Sequence, residues 1–120
     1  MFKNKLIDQL KQKFKNGGIP LKGGAMIPIP GTNSVQFKGN THEEGGIMYD
    51  HKTEVEHDEV MTTVDTKKDG AKDYFFSSYL KKGGMSFADM SKDILQNGGS
   101  QKEINTLARM QEKAAKRDPN

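Results

Sequence analysis

Glu59-Val60-Met61-Thr62-Thr63-Val64, and after a polar stretch holding Asp69-Gly70 the run Tyr74-Phe75-Phe76-Ser77-Ser78-Tyr79-Leu80, decide the fold. β-Branched and aromatic residues dominate both runs, which suits a pleated, half-buried surface better than a helix. The Asp-Gly pair predicts a hairpin between them, with a loop longer than the tightest kind. Upstream, Val35-Gln36-Phe37-Lys38 alternates, Ile47-Met48-Tyr49 is a short apolar run, and Thr53-Glu54-Val55-Glu56 alternates again. Four or five short antiparallel strands follow over about residues 35–80, as a small sheet or a partly open barrel. The aromatics Tyr74, Phe75, Phe76 and Tyr79 are expected in the core and in strand pairing.

Outward from this β module, two helices are predicted. Ser86 can cap one through about Asn97, with Phe87, Met90 and Ile94 on one face. Gly98-Gly99 stops it. Ser100 with Glu103 makes a Ser-x-x-Glu capping box for the second. Ile104, Leu107, Ala108, Gln111, Ala114 and Ala115 give that helix a narrow stripe suited to close helix packing. The pair reads as a helical hairpin over 83–120.

On the other side lie a helix and an arm, residues 1–34. Phe2, Leu6, Ile7, Leu10 and Phe14 recur at helical spacing among lysines, which predicts a basic amphipathic helix over about 2–16 ended by Gly17. Pro20, Pro28 and Pro30 then exclude helix, yet Ile19, Leu21, Met26, Ile27 and Ile29 are apolar. Such an extended arm is expected in a groove, of this domain or of another chain. The fold class is therefore α+β: a small antiparallel module at 35–82, an N-terminal helix with a Pro/Gly arm, and a C-terminal helical hairpin.

Composition narrows the function. Only 32% of the 120 residues are hydrophobic, and mean hydropathy is −0.83. Glycine contributes 13 residues that bury no side chain. The expectation is a thin core and reliance on a partner or on self-association. With no cysteine, disulfides and thiolate metal sites are excluded. No apolar run reaches the roughly 20 residues that span a bilayer, and Met1 to Phe14 lacks the apolar core of a signal peptide. A soluble protein made in the host cytoplasm is expected, with no membrane partner. Charge is segregated: residues 1–24 carry six Lys and one Asp, 40–65 carry eight acids and one Lys, and 66–92 carry six Lys and three Asp. A basic–acidic–basic chain can pair with copies of itself or with a charged lattice.

Motifs of chemistry are sparse. His42, His51 and His57 lie among Glu43, Glu44, Asp50, Glu54, Glu56, Asp58 and Glu59, and imidazole with carboxylate suits zinc. Their spacing matches no compact metal motif, so they are weak candidates and no metal or other cofactor is expected. If 53–60 is a strand, Glu54, Glu56 and Asp58 share a face as an acidic ladder. Ser77 and Ser78 sit in no nucleophile-elbow pattern, and no catalytic residue is assigned. Lys11, Lys13 and Lys15, with Lys113, Lys116 and Arg117, are the candidates for phosphate contact.

Residues 39–90 resemble a small module of crAss-like and related Bacteroidetes tailed phages. The resemblance rests on Gly39-Asn40-Thr41-His42-Glu43-Glu44-Gly45-Gly46-Ile47, then Glu54-Val55-Glu56 with Glu59-Val60, then Tyr74-Phe75-Phe76-Ser77 with Leu80, then Ser86-Phe87-Ala88-Asp89-Met90. The chain departs from the pattern at His57-Asp58, where glycine is usual. The resemblance implies a virion or virion-assembly protein and transfers no catalytic residue. The expected function is a non-enzymatic structural component of a phage particle. It would bind capsid, portal or tail subunits, or copies of itself, through Phe2, Leu6, Leu10, Phe14, Ile27, Ile29, Ile104 and Leu107. A nucleic-acid-binding or packaging accessory is the first alternative, and a metal-dependent hydrolase centred on the histidines is the second.

Overall fold

The structure is a computed structural model that describes residues 18–66 and 70–117. The helix expected over 2–16, with Phe2, Leu6, Leu10, Phe14, Lys11, Lys13 and Lys15, lies outside the described residues, as does Asp69.

Among the described residues nine short strands and two α-helices follow in order: β1 (Ile19–Leu21), β2 (Gly24–Pro28), β3 (Val35–Gly39), β4 (Ile47–Asp50), β5 (Thr53–Val55), β6 (Val60–Thr66), β7 (Gly70–Phe76), β8 (Lys81–Lys82), β9 (Met85–Ser86), α1 (Phe87–Gln96) and α2 (Gln101–Arg117). The main sheet is antiparallel in the order β1-β2-β3-β6-β7. It does not close into a barrel; β1 and β7 are its edges.

The Pro-spaced arm does not lie in a groove; it forms two strands of the chain's own sheet. Ile19 pairs with Met26, and Gly24 through Pro28 pair with Gly39 through Val35. Pairing thus runs straight across the boundary expected at 34/35. Pro20 stands on the edge strand and Pro28 ends β2, the places where a missing N–H costs a sheet least.

Alternation along β6 and β7 divides the sheet into two covered faces. On one, Val60, Val64 and Phe76 pack with Ile29 against Phe87, Ala88, Ile104, Leu107 and Ala108 of the helices. On the other, Val35 and Phe37 pack against Ile47 and Val55 of the β4–β5 hairpin, with Met26, Met61 and Phe75 alongside. Phe37, Tyr49 and Phe75 form a triangle of rings with centroids 5.8 to 6.2 Å apart. A sheet buried on both sides by small elements is how a chain this polar still makes two cores.

Polar residues within those cores are partnered. Ser34 Oγ bonds Thr62 Oγ1, Ser91 Oγ donates to Ala88 O, and Gln36 Nε2 donates to Asp58 O at 3.1 Å. No buried side-chain nitrogen or oxygen among the described residues lacks a partner. Each bond offsets desolvation that would otherwise cost about 1–3 kcal/mol. The helix starts form as the sequence predicts: Asp89 N donates to Ser86 Oγ, and Ser100 and Glu103 exchange the two bonds of a capping box.

Glycine sets how closely the hairpin crosses the sheet. Met48 N donates to Lys22 O at 2.9 Å, tying β4 to the end of β1. Gly23 next to this bridge has φ +91°, and a Cβ there would strike the backbone oxygen of Gly46.

Candidate functional site

Within the run Thr41-His42-Glu43-Glu44-Gly45-Gly46, His42–Glu44 folds as one turn of 3-10 helix. Thr41 N donates to Glu44 Oε1 at 3.0 Å and Gly46 N to Thr41 O at 2.8 Å, closing the turn from both ends. Backbone hydrogen bonding to Glu44 holds its carboxyl below the usual range. Gly46 has φ +72°, and the Glu54 side chain lies where its Cβ would be. Glu54 therefore crosses the glycine to reach His42: Nδ1 and Oε2 are 2.5 Å apart. Glu56 Oε2 accepts from His42 N at 3.0 Å. The Glu54 hydrogen bond, then the charges of Glu54, Glu56 and Glu43, raise the imidazole above its ordinary value of 6.5.

The histidines are not brought together. His51 lies exposed at the tip between β4 and β5. His57 Nδ1 accepts from Gly39 N at 3.1 Å, which leaves the ring proton on Nε2, facing Asp58 Oδ2 at 3.3 Å. Among the described residues, no three His, Asp or Glu side chains are arranged to hold a metal ion. The acidic ladder does not form either. Strand β5 ends at Val55, and Asp58 takes φ +71°, the left-handed conformation that glycine adopts most easily. Its carboxylate pairs with Lys38 instead.

Burial singles out Glu59 next to this turn. Its Oε2 accepts from Glu56 N at 3.1 Å. Burial pushes its carboxyl up to about 7, and the Glu56 and Glu54 charges add to the rise.

Thr41, His42, Glu43, Glu56 and Tyr79 line a recess of about 590 Å³. Tyr79 is 65% exposed. Tyr74, Phe75 and Phe76 pack into the two cores as expected, but the strand stops at Phe76 and leaves Tyr79 outside. Ser77 Oγ accepts from Tyr79 N at 3.0 Å and from Leu80 N at 2.9 Å, while Ser78 Oγ donates to His57 O at 2.8 Å. These bonds fix the 77–80 loop and hold the ring at the lip of the recess. The Ser77-Ser78 pair was the available signal, since serine hydroxyls bond nearby backbone and end strands.

A second recess, of about 460 Å³, is lined by Lys81, Lys82, Met110, Lys113 and Ala114. Gly83 and Gly84, both at positive φ, turn β8 into β9 and leave Met85 exposed opposite Lys82. Of the apolar residues expected to meet a partner, Ile29, Ile104 and Leu107 are instead covered by the chain's own core, and Ile27 is half-buried in β2. No described helix is long and apolar enough to cross a membrane.

No protein-family model, curated protein or solved structure matches the chain.

Proposed function

We propose that the chain is a non-enzymatic structural or assembly component of a phage particle, docking on neighbouring virion proteins or on copies of itself. The observation that carries this reading is Tyr79. A large aromatic ring stands 65% exposed on a domain that buries or half-buries its other described aromatics, beside the carboxylates Glu43 and Glu56 and fixed by its own loop. Rigid, exposed tyrosine inside a polar rim is the kind of anchor that protein interfaces use. The likeness of residues 39–90 to a phage module supplies the particle.

In the first recess Glu54 engages His42 and holds it beside Tyr79, so the rim is fixed in the way a docking surface requires. The proline arm is a pair of strands, so among the described residues docking is assigned to the 77–85 segment and the surfaces beside it.

Deletion of the coding region from the phage, with complementation, tests the reading. Deletion should yield unstable or non-infectious particles. A wild-type copy should restore them, and a Tyr79→Ser copy should not. Normal particles from the deletion would overturn the proposal.

A further inference from the structure

Two recesses of opposite charge are lined from one short segment, residues 79–82. Tyr79 lines the acid-rimmed recess with Glu43 and Glu56. Lys81 lines the lysine-rimmed recess with Lys82 and Lys113. Only Leu80 separates them in the chain, and Leu80 is anchored: it packs against the helix-side core, and its carbonyl accepts from Phe87 N. The apolar part of the second recess's lining is Met110 and Ala114, both half-buried, and Met85 is exposed on the β8–β9 hairpin.

We propose that the surface around residues 79–82 is a docking face for a second copy of the chain. Turned through a two-fold axis, the acid-rimmed half of one copy meets the lysine-rimmed half of the other, twice over. Such self-complementarity is what an isologous interface requires. Tyr79 of each copy enters the partner's lysine-rimmed recess, where an aromatic ring gains from ammonium groups at the rim and thioether below. The tyrosine loop and the Gly83-Gly84 hairpin are both held by hydrogen bonds before docking, so little order has to be gained on association. The proposal deepens the assembly reading by naming one partner, and it is tested on purified chain, whereas the assembly reading is tested on particles.

Sedimentation equilibrium of the full chain is the experiment, with Glu43→Lys and the double variant Lys81→Glu/Lys82→Glu. Wild type should dimerise, with dissociation constant raised about tenfold or more in ~0.5 M salt, because exposed charge pairs are screened. Each variant alone should be monomeric. Their equimolar mixture should recover a heterodimer, since both halves of the interface regain opposite charges. Thermal unfolding of each variant checks that it is folded. Tyr79→Ser should weaken the dimer with salt dependence retained. A wild type that stays monomeric, variants that dimerise like wild type, or a mixture that fails to recover would each overturn the proposal. A monomer whose lysines instead bind duplex DNA would assign that recess to phosphate and overturn it equally.

Discussion

Glu54 Oε2 lies 2.5 Å from His42 Nδ1, and the side chain that makes this bond passes over Gly46, at φ +72°. The glycine and the ion pair are one device: the missing Cβ makes room for the carboxylate. His42 should titrate above 6.5, the value its ring would have alone. Stability from this pair is present below the unfolded value and fades as pH rises through the folded one. Proton NMR of His42 C–H resonances should give a midpoint that falls toward 6.5 in Glu54→Gln. An unchanged midpoint in that variant would remove Glu54 as the cause.

Glu59 runs in the same direction for a different reason. Its carboxyl titrates at about 7 in the fold, above the ordinary 4.5, chiefly because it is desolvated. The folded state keeps this proton between those values while the unfolded state loses it, so stability falls as pH rises through that window. Glu59→Gln keeps the acceptor for Glu56 N and removes the titration. Thermal melts should show the variant matching wild type near pH 4 and exceeding it at pH 8. Parallel curves at all pH values would refute the assignment.

Gly23 and Gly31 both hold positive φ, but only Gly23 is crowded. Gly31→Ala should lose about 1 kcal/mol, the cost of a left-handed alanine. Gly23→Ala adds a collision with the Gly46 carbonyl and should lose about 3 kcal/mol or more, as expected where strain and packing combine. Denaturant unfolding measures both. Equal losses would mean that the hairpin does not cross so closely.

Gln111 closes part of the exposed edge of β7. Its Nε2 donates to Phe75 O at 3.1 Å and its Oε1 accepts from Ser77 N at 2.8 Å. Gln111 is 8% exposed, so Gln111→Ala leaves two backbone groups short of partners and should cost about 1–3 kcal/mol. It should also raise aggregation on heating, since an uncovered edge invites strand pairing. Light scattering alongside a denaturation curve reads both effects.

These residues also mark what the sequence could and could not reveal. Alternation and β-branched or apolar runs placed β3 through β6 but only the last three residues of β7, which begins at Gly70 and ends at Phe76, and the serines at 86 and 100 placed both helix starts, because those signals are local. The strands at Ile19–Leu21 and Gly24–Pro28 were hidden by proline, which excludes helix but does not say that an edge and a strand end will accommodate it. Ile104 and Leu107 form a stripe from sequence alone; that β6 and β7 fill it depends on long-range packing. The acidic ladder failed at Asp58, where the chain turns through a left-handed residue instead of extending. Tyr79 was grouped with its aromatic neighbours because composition cannot show where a strand stops. The few apolar side chains are divided between two small faces with satisfied polar residues inside them, which need fewer of them than one thick layer.

Absolute quantification of the chain in gradient-purified particles, against the major capsid subunit, tests the central claim most directly. The account predicts a fixed copy number, unchanged by nuclease treatment and by salt that strips loosely bound protein. Its absence from intact particles, or a trace amount that washes away, would contradict a structural role.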